Sequence, residues 1–196
     1  MGRDLRSINY PGSLKHSEQA LRLFQQYLGE SNPYTGKAYQ DLGTLGIYND
    51  LEHFVNRGID YLTSREYVEK CISINKEVYG PDHFEVALSY SWRSHLLYVT
   101  EKKEDWELAL VDRNQNIEIF IKIFGPEYPG LIYSYYFKGK ILQKLRQETE
   151  AISAYHECVN LGRKHPGGFE YYIEESKQQL QVIQKKLVVF DSVGES

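Results

Sequence analysis

The chain lacks long apolar runs and an excess of positive charge, and each absence excludes a class of protein. Its 196 residues contain no apolar stretch near the roughly 18 residues that cross a bilayer, so we expect no membrane-spanning helix. A formal charge of −4 and a pI near 5.9 argue against a nucleic-acid or anionic-membrane surface, since both need a basic field. The charged start, Met1 to Asp4, lacks the hydrophobic stretch of a secretory signal.

Cysteine is also scarce, and the residues that usually carry chemistry are scattered. Cys71 and Cys158 are far apart, and no Cys-x-x-Cys or His-x-x-x-His spacing indicates a zinc site. The two cysteines fit best as small packing groups in a reducing compartment, which predicts a cytoplasmic location. No glycine-rich phosphate loop follows a strand pattern. We therefore expect no catalytic residue, cofactor or metal, and predict that the protein is not an enzyme.

What the sequence does contain is a recurring glycine at the end of apolar helical segments. Such a glycine is typical of a helix C-terminus, and a later proline or phenylalanine marks the start of the next helix. The marks, spaced 51, 45 and 37 residues apart, are Gly29, Gly80, Gly125 and Gly162. Four marks in a chain of this length predict an internal repeat.

Other residues recur in register with these glycines. A tyrosine follows the first three marks by ten residues, and a glycine or serine comes four residues later: Tyr39, Tyr90 and Tyr135, then Gly43, Ser94 and Gly139. Small residues seven apart mark a second helix in each segment: Ser64 and Cys71, Ala109 and Asn116, Ala151 and Cys158. Each segment is therefore predicted to be a pair of helices.

The turns Tyr79 to His83 and Phe124 to Pro129 resemble the tetratricopeptide repeat in the roughly 42-residue form found in kinesin light chains. The resemblance implies an all-α fold: a right-handed α-solenoid of antiparallel helix pairs with a C-terminal capping helix. Four departures stand out. Arg93 and Lys138 occupy positions where the family has apolar side chains, and Glu104 and Arg146 lie near the place of the turn glycine between paired helices.

In this register residues 1–12 form a flexible arm and residues 13–190 a helical domain. The domain is predicted to contain a partial repeat at 13–33, repeats at about 34–80, 84–125 and 129–166, and a capping helix at 168–188. An insertion between Tyr48 and Asp60 is predicted to lengthen two helices, because Leu51, Phe54 and Val55 have helical spacing. Residues 191–196 are predicted to be a disordered tail.

The resemblance also implies a function, because the first helices of such pairs line a concave surface that binds a peptide or protein segment. The exposed positions expected there are Lys37, Gln40, Thr44, Leu88, Ser91, His95, Tyr133, Tyr136 and Lys140. Leu88 and Tyr133 could instead pack between helices. The leading hypothesis is a noncatalytic adaptor. The alternatives are a structural subunit of a larger assembly and a helical appendage of an enzyme, as in SET-and-MYND lysine methyltransferases.

Overall fold

The computed structural model describes residues 10–45 and 60–194, and all regular secondary structure in these ranges is α-helical. The predicted insertion between Tyr48 and Asp60 lies outside the described residues, as do residues 1–9 and 195–196. The helices are α1 (Tyr10–Leu28), α2 (Pro33–Thr44), α3 (Tyr61–Tyr79), α4 (Phe84–Tyr98), α5 (Lys103–Phe124), α6 (Leu131–Lys144), α7 (Glu148–Lys164) and α8 (Glu170–Gly194).

The chain divides into two compact units, Met1–Val99 and Thr100–Ser196. In the first unit α2 packs against α1 and α3, and α4 packs on α3. The centre of its core is Leu21, Ala38, Tyr39, Leu42, Cys71 and Ile74. In the second unit α6 packs against α5 and α7, while α8 packs on α7 and also reaches α6. The helices of the predicted repeat 84–125 therefore belong to different units.

Local sequence explains where several helices begin. Asn32 caps α2 by accepting a hydrogen bond from the Tyr34 amide (3.0 Å), with Pro33 at the first helical position. Asp60 caps α3 by accepting one from the Thr63 amide (3.0 Å). His83 Nδ1 does the same for the Glu85 amide at the start of α4 (3.2 Å). These caps fix the start of each helix close to where the spacing of apolar residues places it.

The glycine marks are confirmed at three positions and wrong at the fourth. Gly29, Gly80 and Gly125 have φ between 84° and 87°, the left-handed region that favours glycine. Gly162 instead lies inside α7, where its missing side chain makes room for Ile173. Two glycines with positive φ follow α7, Gly167 (φ 104°) and Gly168 (φ 87°), and Gly167 keeps the register of the earlier marks, nine residues after Cys158 as Gly80 is after Cys71. The last spacing is thus 42 residues rather than 37, and the second helix of this pair, α7 with 17 residues, is shorter than α3 with 19 and α5 with 22.

Arg146 takes the place that the family gives to a turn glycine. It lies between α6 and α7 with φ 58°, the only non-glycine residue with positive φ in the described ranges. A side chain in this conformation costs roughly 1 kcal/mol. The resemblance therefore located a residue under backbone strain as well as a turn.

With the register corrected, a pair of buried residues 18 positions apart recurs between a second helix and the following first helix. Cys71 Sγ lies 3.3 Å from Ser89 Oγ, which also accepts a hydrogen bond from Asn75 (2.9 Å). In the second unit Ser134 donates to Asn116 Oδ1 (2.6 Å). The third pair is Cys158 and Ser176, both fully buried. We call these three pairs the seam pairs.

The third seam pair has different hydrogen bonding from the other two. The Cys158 thiol donates to the Tyr172 carbonyl (3.7 Å), and Ser176 Oγ has no hydrogen-bond partner in the described residues. Burial raises the pKa of the Cys158 thiol. Both cysteines are reduced and buried, as predicted. The three seam pairs thus occupy equivalent positions in the repeat but form different hydrogen bonds.

Helix α8 has the surface of a capping helix. It buries Ser176, Leu180 and Ile183 against the second unit. Lys177, Gln181 and Gln184 are exposed, although the corresponding positions in earlier first helices include Tyr135 and Gly139, which help to pack a second helix. This polar face confirms the predicted capping character.

Both ends of the helical region differ from the predicted boundaries. Helix α1 begins at Tyr10, so residues 10–12 are helical and not part of a flexible arm. Pro11 is compatible with this, because a proline in the first turn removes no intrahelical hydrogen bond. Helix α8 continues to Gly194, so residues 191–194 are helical as well. No glycine or proline interrupts the sequence between Phe169 and Gly194.

Candidate functional site

In the first unit, six of the residues predicted for binding lie on α2 and α4. Lys37 is exposed and pairs with Asp41 (3.4 Å). With its amide oxygen turned toward both donors, Gln40 accepts hydrogen bonds from Lys37 Nζ (3.2 Å) and Trp92 Nε1 (3.1 Å). Leu88, Ser91 and His95 of α4 are partly exposed. Gln40 therefore joins the two helices, while Leu88, Ser91 and His95 each keep part of their surface exposed.

In the second unit, Tyr133, Tyr136 and Lys140 belong to an aromatic cluster formed by α6 and the start of α8. The ring of Tyr172 lies 5.2 Å from those of both Tyr133 and Tyr136. Tyr171 lies 6.4 Å from Tyr136, and Lys140 Nζ is 5.6 Å from the centre of the Tyr136 ring. We call Tyr133, Tyr136, Tyr171 and Tyr172 the tyrosine cluster. Its rings meet at the distances and angles typical of aromatic pairs.

Three of the nine predicted residues are buried and cannot serve as exposed contacts. Gln40, Thr44 and Tyr136 are exposed by 7%, 9% and 4%. Trp92 of the neighbouring helix bonds to Gln40, the Thr44 hydroxyl donates to the Asp41 carbonyl (3.2 Å), and Tyr171 and Tyr172 pack on Tyr136. Helical spacing gives the direction of a side chain, but not what a neighbouring helix places over it. Tyr133 is partly buried, in agreement with the alternative that it packs between helices.

Sequence reasoning missed Tyr171 and Tyr172. The register set by Gly162 placed no repeat position at them, whereas in the corrected register Tyr171 matches Phe84 at the start of α4. Tyr171 is nevertheless 65% exposed, in the same range as Tyr27 (73%) and Tyr34 (64%). A pair of adjacent tyrosines at the start of a helix was the one available signal. These residues shift the candidate surface of the second unit toward the first turn of α8.

Arg113 lies at the centre of the second unit with no exposed surface. Its guanidinium carbon is 4.6 Å from the centre of the Phe137 ring and 5.4 Å from that of Tyr133. Burial lowers the pKa of Arg113, while Tyr133 and Asp112 oppose that shift. The arginine therefore stacks beneath the tyrosine cluster and supports Tyr133 from inside the unit.

Lys138 is, with Arg93, one of the two basic residues at positions where the resemblance predicts apolar side chains. It is half-buried in a pocket between α5, α6 and α7 that it shares with Leu110, Leu142 and Ala154. Burial lowers the pKa of Lys138, and attraction to Glu118 only partly offsets this. The ammonium is therefore less stable in the folded protein than in the unfolded chain, and at neutral pH its charge opposes folding.

We expect Lys138→Leu to raise the free energy of unfolding by about 1 kcal/mol, because it removes a desolvated charge and adds apolar contacts. Thermal unfolding followed by circular dichroism measures the change. Lys185→Leu, on the exposed polar face of α8, is the matched control and should change stability by less than about 0.5 kcal/mol. A lower melting temperature for Lys138→Leu than for the control would contradict this account of Lys138.

The described residues offer little for metal chemistry. They contain no group of three or more histidine, cysteine or carboxylate side chains placed to hold a metal ion. No helix in the described part of the chain is long and apolar enough to span a membrane.

Burial raises the pKa of Cys71 to about 11, so its thiol stays protonated and is a poor nucleophile.

The helix pairs, glycine terminators and seam pairs define the chain as an α-solenoid of the helix-pair type. A family model of the tetratricopeptide repeat matches residues 60–85, which include α3 and the turn into α4. A comparison with curated protein sequences finds no match.

Two similar solved structures extend this result to almost the whole chain. They are the nearly identical TPR-like repeats of a protein described as a kinesin light chain from Podosopora anserina, and a single-substitution variant of them. Both have a TM-score of 0.69 and cover 95% of this chain and 82% of their own, at 15% and 14% identity. The predicted fold, an α-solenoid of helix pairs, is confirmed, and it is similar to the fold of these kinesin-light-chain TPR-like repeats.

Proposed function

We propose that the protein is a noncatalytic scaffold that binds a polypeptide segment on the exposed parts of its first helices. Tetratricopeptide repeats generally mediate protein–protein interactions, so the class of function follows from the fold. The observation that carries the proposal is the tyrosine cluster, in which Tyr171 is 65% exposed and in which Tyr171 and Lys140 both approach the Tyr136 ring. Tyrosines give large contact areas at low entropic cost, and they are enriched where proteins bind each other.

The chemistry of the two surfaces indicates what such a segment would contain. In the second unit, Tyr171 offers an aromatic face, and Lys140 offers a cation to an acceptor or carboxylate. In the first unit, Ser91 and His95 of α4 provide hydrogen-bonding groups beside Leu88. A segment with an apolar anchor and acceptor groups fits either surface. Because Gln40, Thr44 and Tyr136 are buried, they contribute by holding these surfaces in place.

Site-specific photo-crosslinking tests the proposal. A benzophenone amino acid is placed at Ser91 or Tyr171, and as controls at Leu62 of α3 and Gln184 of α8, both exposed on other faces. In cell lysate, we expect polypeptide adducts from Ser91 or Tyr171 and not from the controls, identified by mass spectrometry. Lys140→Glu should reduce the Tyr171 adduct about fivefold, because it reverses the adjacent charge.

Other patterns of crosslinking would contradict the proposal. Adducts of equal yield from Leu62 and Gln184 would indicate contact without a preferred surface. A Tyr171 adduct unchanged by Lys140→Glu would exclude Lys140 from the interface. With a further probe placed at Tyr27 of α1, which is 73% exposed, adducts from that position alone would favour the alternative of a structural subunit held in a larger assembly.

A further inference from the structure

The second unit contains a pocket on a different face from the tyrosine cluster, between the second helices α5 and α7 and over α6. We call it the α5–α7 pocket. It has a volume of about 360 Å³ and is lined by Leu110 and Asn114 of α5, Lys138 and Leu142 of α6, and Glu150 and Glu157 of α7. A smaller cavity of about 250 Å³ shares Tyr135 and Glu157 with it. Together they are large enough for one side chain and part of the backbone that carries it.

The pocket contains a hydrogen-bond acceptor without a donor. Asn114 Oδ1 is buried and has no hydrogen-bond partner among the described residues. A buried amide oxygen without a donor costs roughly 1–3 kcal/mol, so such groups are rare unless something else supplies the donor. An N–H group entering the pocket would supply it.

The pocket also contains a hydrogen-bond donor that bonds to no described residue. Lys138 makes no hydrogen bond and no ion pair within 4.0 Å with any described residue. The carboxylate of Glu118 attracts the Lys138 ammonium from a longer range and partly offsets the lowering of its pKa by burial. A carbonyl oxygen in the pocket would restore part of the solvation that the Lys138 ammonium loses on folding.

The charges around the pocket repel both anionic and cationic ligands. An anion attracted to Lys138 would also meet Glu118, Glu150 and Glu157, three carboxylates against one ammonium. A cation attracted to these carboxylates would meet Lys138. A neutral group that both donates and accepts hydrogen bonds avoids both repulsions, and leucine and alanine side chains cover its apolar stem.

We propose that the α5–α7 pocket binds the carboxamide side chain of a glutamine or asparagine presented by a partner protein. The carbonyl oxygen accepts a hydrogen bond from Lys138 Nζ. One N–H donates to Asn114 Oδ1, and the second N–H faces the carboxylates of α7. This site is separate from the tyrosine cluster and does not depend on the function proposed for it.

The test uses three blocked amino acids as probes: the N-acetyl, N-methylamide derivatives of glutamine, glutamate and methionine. They have side chains of similar length but differ in charge and hydrogen bonding. Each is titrated into the isotopically labelled full chain while backbone amide resonances are followed by NMR. We expect the glutamine probe to shift the resonances of Asn114, Lys138 and Glu157 saturably, with an affinity about tenfold higher than the other two probes.

Two variants locate the interaction. Asn114→Leu and Lys138→Leu each remove one predicted hydrogen bond and should lower the affinity for the glutamine probe about tenfold, while Lys185→Leu leaves it unchanged. Lys138→Leu is expected to be more stable than the natural chain, so its loss of binding cannot result from unfolding. Equal binding of all three probes, binding that survives both variants, or no saturable shift would overturn the proposal.

Discussion

Arg113→Ala is expected to lower the free energy of unfolding by about 3–5 kcal/mol, the range found when one member of a buried charge pair is removed. The guanidinium occupies the space beneath Tyr133 and Phe137, and its charge lies beside Asp112, which is only 1% exposed. Alanine removes the positive charge and leaves a cavity. Urea unfolding of the full chain, followed by circular dichroism, measures the loss.

Two controls separate the buried position from the residue type. Arg163→Ala, on the exposed end of α7, should change stability by less than about 0.5 kcal/mol. Arg113→Lys keeps the charge but loses the planar group that stacks on the rings, so an intermediate loss of about 1–2 kcal/mol is expected. If Arg113→Ala were as stable as Arg163→Ala, the arginine would not support the tyrosine cluster.

Gly139→Val is expected to lower the free energy of unfolding by about 3 kcal/mol. A Cβ atom at this position would lie 2.6 Å from Tyr155 Cε1, closer than side chains can approach. The Tyr155 ring cannot easily move, because it is fully buried and its hydroxyl donates to Gln143. Thermal unfolding followed by circular dichroism measures the effect.

The control for this prediction lies at the same place in the repeat. Gln181 occupies the matching position of α8, where the side chain is exposed, so Gln181→Val should cost less than about 1 kcal/mol. In a Tyr155→Leu background the further cost of Gly139→Val should fall by at least about 1 kcal/mol, because the obstructing ring is gone. Additive effects in this cycle would show that contact with Tyr155 is not the reason for glycine.

The fold could be predicted because each of its signals is local. Glycines with positive φ at 29, 80 and 125, the tyrosines ten residues later and the small residues of each second helix are set by backbone geometry and close packing. The error at Gly162 shows the limit of this reasoning. A glycine can end a helix or admit a neighbouring side chain, and only the position of Ile173 distinguishes the two roles at Gly162.

The candidate site was less predictable, because it depends on contacts between helices. The spacing that placed Tyr136 on an exposed face could not show that Tyr171 and Tyr172 cover it. Lys138 and Arg113 illustrate the same point. Both are basic residues within apolar helical patterns, but one lines a pocket and the other is fully buried between aromatic rings. Whether such a residue is half-exposed or fully buried depends on the helix that packs against it, which the spacing within its own helix does not reveal.

The seam pairs have a consequence for grafting parts of this chain into related proteins. Each pair lies between a second helix and the first helix that follows it, and the hydrogen bonds differ. The thiol of Cys71 meets the hydroxyl of Ser89, the hydroxyl of Ser134 donates to the carboxamide of Asn116, and the thiol of Cys158 donates to the Tyr172 carbonyl rather than to Ser176. A chimera joined at a repeat boundary would separate the members of a pair. A chimera joined between α4 and α5, at Val99, would transfer each donor together with its acceptor.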